Sequence, residues 1–215
     1  MAGLLVTGFD AFAGLGRNVS EEVVRALPKA WHAPPHLRTE VLPTVYDAAG
    51  ARVRALLADV EPDAVVMLGV ARSRNAIELE RVALNLDDSE TADNAREVRA
   101  GTPIDANGPV GYWSTLPLAA MRERLDSLGV PVSISNHAGT FLCNHVFFAA
   151  RAEIERRRLS VPCGFVHLPD LAADDAGGLR TLTSAVVACL EVVAASLWPR
   201  AGEVCEAAVN RRGDR

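Results

Sequence analysis

Cys143 is the residue on which chemistry is most readily built. It stands in Ala138-Gly139-Thr140-Phe141-Leu142-Cys143-Asn144-His145, just after a short extended stretch at 131–135. Leu142, Val146, Phe147, Ala150 and Ile154 then recur at helical spacing. Cys143 therefore falls in the first turn of a helix, where unpaired N–H groups and roughly half a positive charge favour thiolate over thiol. The same N–H groups suit a developing oxyanion. The ordinary alternative is a buried structural cysteine, the common fate of a free thiol.

A thiol nucleophile needs a base. His145 lies two residues further along the same helix, about 200° round it at about 3.6 residues per turn, and so faces away from the thiol. His137 lies in the preceding turn, close enough to approach, although such histidines commonly cap a helix or face solvent. His167 ends an apolar stretch, Gly164-Phe165-Val166-His167-Leu168-Pro169, and is the best candidate for a general base. A zinc site built from Cys143, His137 and His145 matches no zinc-ligand spacing. Glu80 belongs to an alternating segment at 75–86 that reads as extended, with Ile77, Leu79, Arg81 and Ala83 on one face and Glu78, Glu80, Val82, Leu84 and Leu86 on the other. A carboxylate among apolar neighbours requires a partner. A structural ion pair and a site role both meet that requirement.

The elements that must position these residues alternate. A strand at 4–9 leads to a glycine-bounded loop carrying Phe9 and Phe12, then to a helix with a capping box at Asn18-Val19-Ser20-Glu21, which Pro28 is expected to stop. A strand at 37–42, a helix with Ala49, Val53, Leu56, Leu57 and Val60 inward, and a near-continuous apolar strand at 63–70 follow. Residues 87–111 are polar and rich in turn formers, and read as a long functional or mobile loop. A helix with Leu118, Met121, Leu125 and Leu128 inward precedes the Cys143 stretch, and a charge-poor helix at 178–198 closes the chain. This order implies an α/β fold with a mostly parallel sheet and helices on both faces. Ligands of such sheets bind beyond the strands' carboxyl ends. Cys143 follows one strand and His167 ends another, so both are expected at that edge.

At 215 residues the chain reads as a single domain, 1–198, with a polar tail at 199–215. Apolar residues at 49% and charged residues at 23% give an ordinary globular balance. A net charge of −5 without a dominant basic patch argues against nucleic acid as partner. The run Arg156-Arg157-Arg158 closes a helix, where cations favour the dipole. No N-terminal signal pattern and no uninterrupted membrane-length segment are read from the sequence, so no membrane is expected. Four cysteines without metal or disulfide spacing suit a reduced, cytoplasmic protein.

Five motifs in order carry a resemblance: Val6-Thr7-Gly8-Phe9-Asp10, Leu42-Pro43-Thr44-Val45, Glu80-Arg81-Val82-Ala83-Leu84-Asn85-Leu86, the Cys143 stretch, and Gly164-Phe165-Val166-His167-Leu168-Pro169. With them the chain resembles the type I pyroglutamyl peptidases, a family of cysteine exopeptidases, over roughly residues 5–171. The resemblance implies a three-layer open α/β sandwich with a twisted sheet and a Glu80, Cys143, His167 triad. It also implies release of N-terminal pyroglutamate from peptides through a thioester, no metal or organic cofactor, and commonly a homotetramer. It places the neutral lactam in an apolar pocket of Phe9, Phe12, Phe141 and Leu142, held by the backbone at Val70. This chain departs from the family pattern at Ala11, Ala13, Arg72, Ser73 and Glu90, and reads Thr91-Ala92-Asp93-Asn94 where Ile-Pro-Asp-Asn is usual. Those changes leave open a related thiol amidohydrolase acting on another blocked amide. A non-catalytic protein on the same fold is the more distant alternative.

Overall fold

The computed structural model describes residues 3–12, 14, 16–72 and 74–197. Ala13, Ser73, Cys205, the end of the expected last helix at Trp198 and the whole tail at 199–215 lie outside them.

Near-continuous apolar runs become strands buried on both faces. β1 (Gly3–Phe9), β2 (His36–Leu42), β3 (Ala64–Val70), β4 (Ile77–Glu80), β9 (Val132–Ser135) and β10 (Cys163–Leu168) form one sheet in the order β2-β1-β3-β10-β4-β9. Alternation along each strand splits the apolar side chains between two cores. Leu4, Val6, Val66, Leu68, Leu79 and Val166 pack beneath α1 (Val19–Ala30), α3 (Leu118–Ser127) and α5 (Ala176–Leu197). Leu5, Val65, Met67 and Phe165 pack beneath α2 (Tyr46–Val60) and α4 (Leu142–Arg157). The result is the expected three-layer α/β sandwich. Each fully buried Leu or Phe contributes about 1.5–3 kcal/mol of transfer free energy, which makes these two faces the main stabilising features.

The sheet is mostly parallel, with one antiparallel join between β10 and β4. β4 and β9 thus run against the other four strands. This changes the reason why Cys143 and His167 meet. The carboxyl end of β9 does not lie at the carboxyl edge of β10, because Ser135 sits level with Glu80 and Glu80 with Phe165. The turn at 136–141 carries the chain back before α4 begins.

Other expectations are corrected. Pro28 lies inside α1, which runs on to Ala30. The Trp31 N–H still reaches Leu27 O at 2.8 Å, and buried Val23, Val24 and Leu27 hold the last turn in place. The alternating segment at 75–86 holds two strands in different sheets. It changes sheet at Arg81, after which β5 (Val82–Leu84) pairs with β8 (Gly111–Trp113). The polar stretch beyond it holds a second hairpin, β6 (Asp87–Ser89) with β7 (Arg99–Thr102), rather than a bare loop. Asp93 ties that arm to α2 by accepting the Tyr46 N–H at 3.1 Å while also closing its own turn through the Ala95 and Glu97 N–H groups. Leu128 is 48% exposed, because α3 ends at Ser127 and the residue is its C-cap. α5 has 22 residues and enough hydropathy for a membrane span, contrary to the sequence expectation, and half of its apolar window is buried against the sheet and α1 and α3.

Candidate active site

The period of two along β4 and β10 decides which polar side chains share a face. Ile77 and Leu79 point to the α1–α3–α5 core, so Glu78 and Glu80 point to the α2–α4 side. Phe165 and His167 do the same from β10. His167 Nδ1–H donates to Glu80 Oε1 at 2.6 Å. The carboxylate is fully buried and the histidine almost so. With Nδ1 engaged, Nε2 is left free to serve Cys143, whose nearness favours the charged ring.

Burial by itself disfavours the charged ring. The charge and hydrogen bond of Cys143, with those of Glu80, outweigh it and push His167 up to about 9. Desolvation pushes the buried thiols of Cys163 and Cys189 up to about 12, and Arg151 only partly opposes it at Cys163. Cys143 is half-buried in the first turn of α4, and no side chain caps that helix. The first-turn N–H groups are therefore not spent on a cap.

The thiol needs space as well as charge. A Cβ at Gly69 would lie 2.7 Å from Cys143 Sγ and 2.7 Å from Phe165 Cζ, so only glycine fits there. Asn144 anchors the same turn. Its side chain accepts the Leu84 N–H at 2.8 Å and donates to Leu84 O and Leu86 O, both at 2.9 Å. Neither role was read from the sequence. A glycine near the end of an apolar strand was the available signal for Gly69. Asn144 had none beyond its place in the motif.

The other histidines are placed as their positions suggested. His145 faces away from the thiol, and its Nδ1 lies 2.8 Å from Asp87 Oδ2. Arg99 Nη1 donates to the same oxygen at 3.0 Å and its guanidinium lies 4.5 Å from the Tyr46 ring centroid. His137 is exposed and accepts the Gly139 N–H at 3.2 Å, closing the turn. Among the described residues, no group of three His, Cys, Asp or Glu side chains converges as metal ligands would.

The expected pocket residues divide. Leu142 is fully buried and Phe9 nearly so, both inside the α2–α4 core. Phe12 and Phe141 remain half-exposed and lean together at 6.0 Å, with Tyr46 edge-on to Phe141 at 5.6 Å. Val70 ends β3 beside Leu168. The loop bearing Phe12 is clipped in place through Asp10, whose carboxylate accepts the Thr44 N–H at 2.7 Å, and through Asn94, which donates to Ala11 O at 2.9 Å. Glu90 is exposed after β6. A separate groove of about 400 Å³, lined by Leu84, Leu86, Pro103, Pro109 and Val110 among others, lies on the two hairpins and includes none of these residues.

Against known proteins, the family model for pyroglutamyl peptidase matches residues 2–196. The chain is 42% identical over 177 residues to a pyrrolidone-carboxylate peptidase of Ralstonia nicotianae, covering 82% of each protein. It is 39% identical over 171 residues to the pyrrolidone-carboxylate peptidase of Brevibacillus brevis, covering 80% of each. Its fold superposes on the crystal structure of Bacillus amyloliquefaciens pyroglutamyl peptidase I with a TM-score of 0.83 at 33% identity, covering 91% of this chain and 98% of that one. A variant pyrrolidone carboxyl peptidase from Pyrococcus furiosus gives a TM-score of 0.83 at 29% identity, covering 91% and 99%.

Proposed function

The chain belongs to the pyroglutamyl peptidase family, and from that membership we propose that it is a cysteine peptidase that removes pyroglutamate from peptide N-termini, with Cys143, His167 and Glu80 as its catalytic residues. The observation that carries the roles is the buried relay from Glu80 through His167 to Cys143. Glu80 fixes the ring's tautomer and stabilises imidazolium. His167 takes the thiol proton, and the Cys143 sulfur attacks the pyroglutamyl carbonyl carbon. The oxygen gains the displaced electron pair and is met by first-turn N–H groups of α4, at the positive end of the helix dipole. Imidazolium then gives its proton to the departing amine as the C–N bond breaks. Neutral His167 deprotonates a water, which opens the thioester, releases pyroglutamate and restores the thiol. Half-exposed Phe12 and Phe141 supply apolar surface for a lactam that carries no charge, with the Val70 backbone beside them.

Release of a fluorescent amine from its pyroglutamyl amide, with wild type and Cys143→Ala side by side, tests this reading. Turnover by wild type that vanishes in the variant is the expected result, and turnover surviving in Cys143→Ala overturns the nucleophile. A homo-oligomer working in the cytoplasm belongs to the same proposal. The three free thiols among the described residues support a reducing compartment, and sedimentation of the purified chain tests the assembly.

A further inference from the structure

The rim where β3 and β10 end carries two guanidinium groups held in different ways. Arg74 is paired with Glu78, and the two side chains are 36% and 14% exposed. Arg72 is held loosely. It lies 3.7 Å from Asp170, and the two side chains are 43% and 44% exposed. A pair that open to solvent is weak and exchanges readily. The Arg72 guanidinium also sits 5.2 Å over the Phe12 ring, which keeps it at the rim when Asp170 lets go. Asp170 has a second cation within Coulombic reach in Arg17, whose own charge is favoured first by its hydrogen bond to Glu22 and also by Asp170. Arg17 is fixed nearby, donating to Leu171 O at 2.8 Å.

The position of this arginine gives the looseness a use. The Ala71 N–H donates to Leu168 O at 3.0 Å, which ties the Arg72 loop to the strand that carries His167. Asp170 lies just beyond His167, and Phe12 leans on Phe141 at the entry to α4. Arg72 thus stands between the aromatic wall and the strand end that protonates the leaving amine. The lactam offers it no charge. Any charge on the substrate must lie beyond the scissile amide.

We propose that Arg72 is a specificity-determining residue for the leaving peptide, receiving a carboxylate that follows the scissile bond, from an acidic side chain or from the free C-terminus of a short substrate. This rests on the peptidase reading above. On docking, Arg72 exchanges Asp170 for the substrate carboxylate, and Asp170 turns to Arg17.

Three substrates separate the possibilities: pyroglutamyl-alanine amide, which is neutral; pyroglutamyl-alanine, with a C-terminal carboxylate; and pyroglutamyl-glutamate α-amide, with a side-chain carboxylate. Wild type is expected to favour one or both acidic substrates over the neutral one by about three- to tenfold in kcat/KM. That ratio falls towards one in Arg72→Gln, is partly kept in Arg72→Lys, and rises in Asp170→Asn. Which acidic substrate gains identifies the source of the carboxylate. The wild-type preference also shrinks in about 0.5 M salt, a readout that needs no variant. A wild type that cleaves all three substrates alike, or a preference unchanged in Arg72→Gln, overturns the proposal. A wild type silent on every substrate overturns the peptidase reading first, and this inference with it.

Discussion

Two histidine–carboxylate pairs lie buried on the same side of the sheet. His167 meets Glu80 at 2.6 Å and His145 meets Asp87 at 2.8 Å. By distance and burial they are nearly alike. What differs is what each imidazole finds at its other nitrogen, and what else the carboxylate holds. His167 faces the thiol of Cys143, and among the described residues Glu80 has no second cation in its hydrogen bonds or ion pairs. His145 has its Nε2 2.8 Å from where a Cβ at Gly50 would be, with the Tyr46 ring edge-on at 5.4 Å. Asp87 is shared with Arg99, which also bridges to Asp47 at 2.7 Å and Glu97 at 2.6 Å. A histidine–carboxylate pair becomes catalytic machinery only when the remaining nitrogen has a reacting group to serve. Otherwise it is a clamp, here between the Cys143 helix and the β6–β7 arm.

The comparison breaks most decisively at the thiol. Cys143→Ala is expected to lower kcat by about 10⁴-fold or more while leaving the unfolding midpoint nearly unchanged. Cys163→Ala should leave kcat close to that of wild type, and the same amide-release assay reads both. Next comes the carboxylate that orients the base. Glu80→Gln keeps the shape and loses the charge, and is expected to cost about 10²–10⁴ in kcat. Asp87→Asn should alter turnover per folded molecule by no more than a few-fold. Equal losses in the two variants would erase the distinction.

Stability should show the reverse ranking. Asp87→Ala strands buried His145 and removes one of the three carboxylates on Arg99, and is expected to cost about 3–5 kcal/mol in denaturant unfolding, as removal of one partner from a buried charge cluster does. Gly69→Ala probes the space that the thiol requires. Its methyl group would displace Sγ or the Phe165 ring, and a fall of about ten- to a hundredfold in kcat is expected, with circular dichroism unchanged.

The smallest effect is in pH. His167 is raised from 6.5 to about 9, so the folded protein holds this proton more tightly than the unfolded chain does. The stabilisation is complete below about pH 6.5 and is lost as pH rises through about 9. Thermal midpoints of wild type and His167→Asn should therefore converge over that interval. A gap that widens with pH would reverse the assigned sign.

Much of this was legible in the residues. Apolar strand runs, helical spacing after Cys143 and the Asn18 cap define elements through local sterics and hydrogen bonding, which act over a few residues. The thiol in a first helical turn, the turned-away His145 and the strand-end His167 follow from the same periodicities. Alternation also placed Glu80 opposite Leu79, but it did not reveal that the strand stops at Arg81 and changes sheet. Nor did it show that β4 and β9 run backwards, because strand direction is a property of pairing partners distant in the chain. The expectation that Cys143 and His167 share an edge was correct in outcome. The cause is the return turn at 136–141 rather than parallel strands.

By itself, then, the sequence determined which side chains are candidates for chemistry and the local element that presents each one. Helical spacing had already turned His145 away; tertiary structure decided that His167 comes beside the thiol, because that depends on how α4 packs against β3 and β10. Asn144 is tied to the β5 arm and Gly69 leaves room for sulfur. It also decided that Arg72 remains loosely held while Arg74 is locked. The two have the same side chain and nearly the same address, and differ in the carboxylate and neighbours that the fold sets beside them.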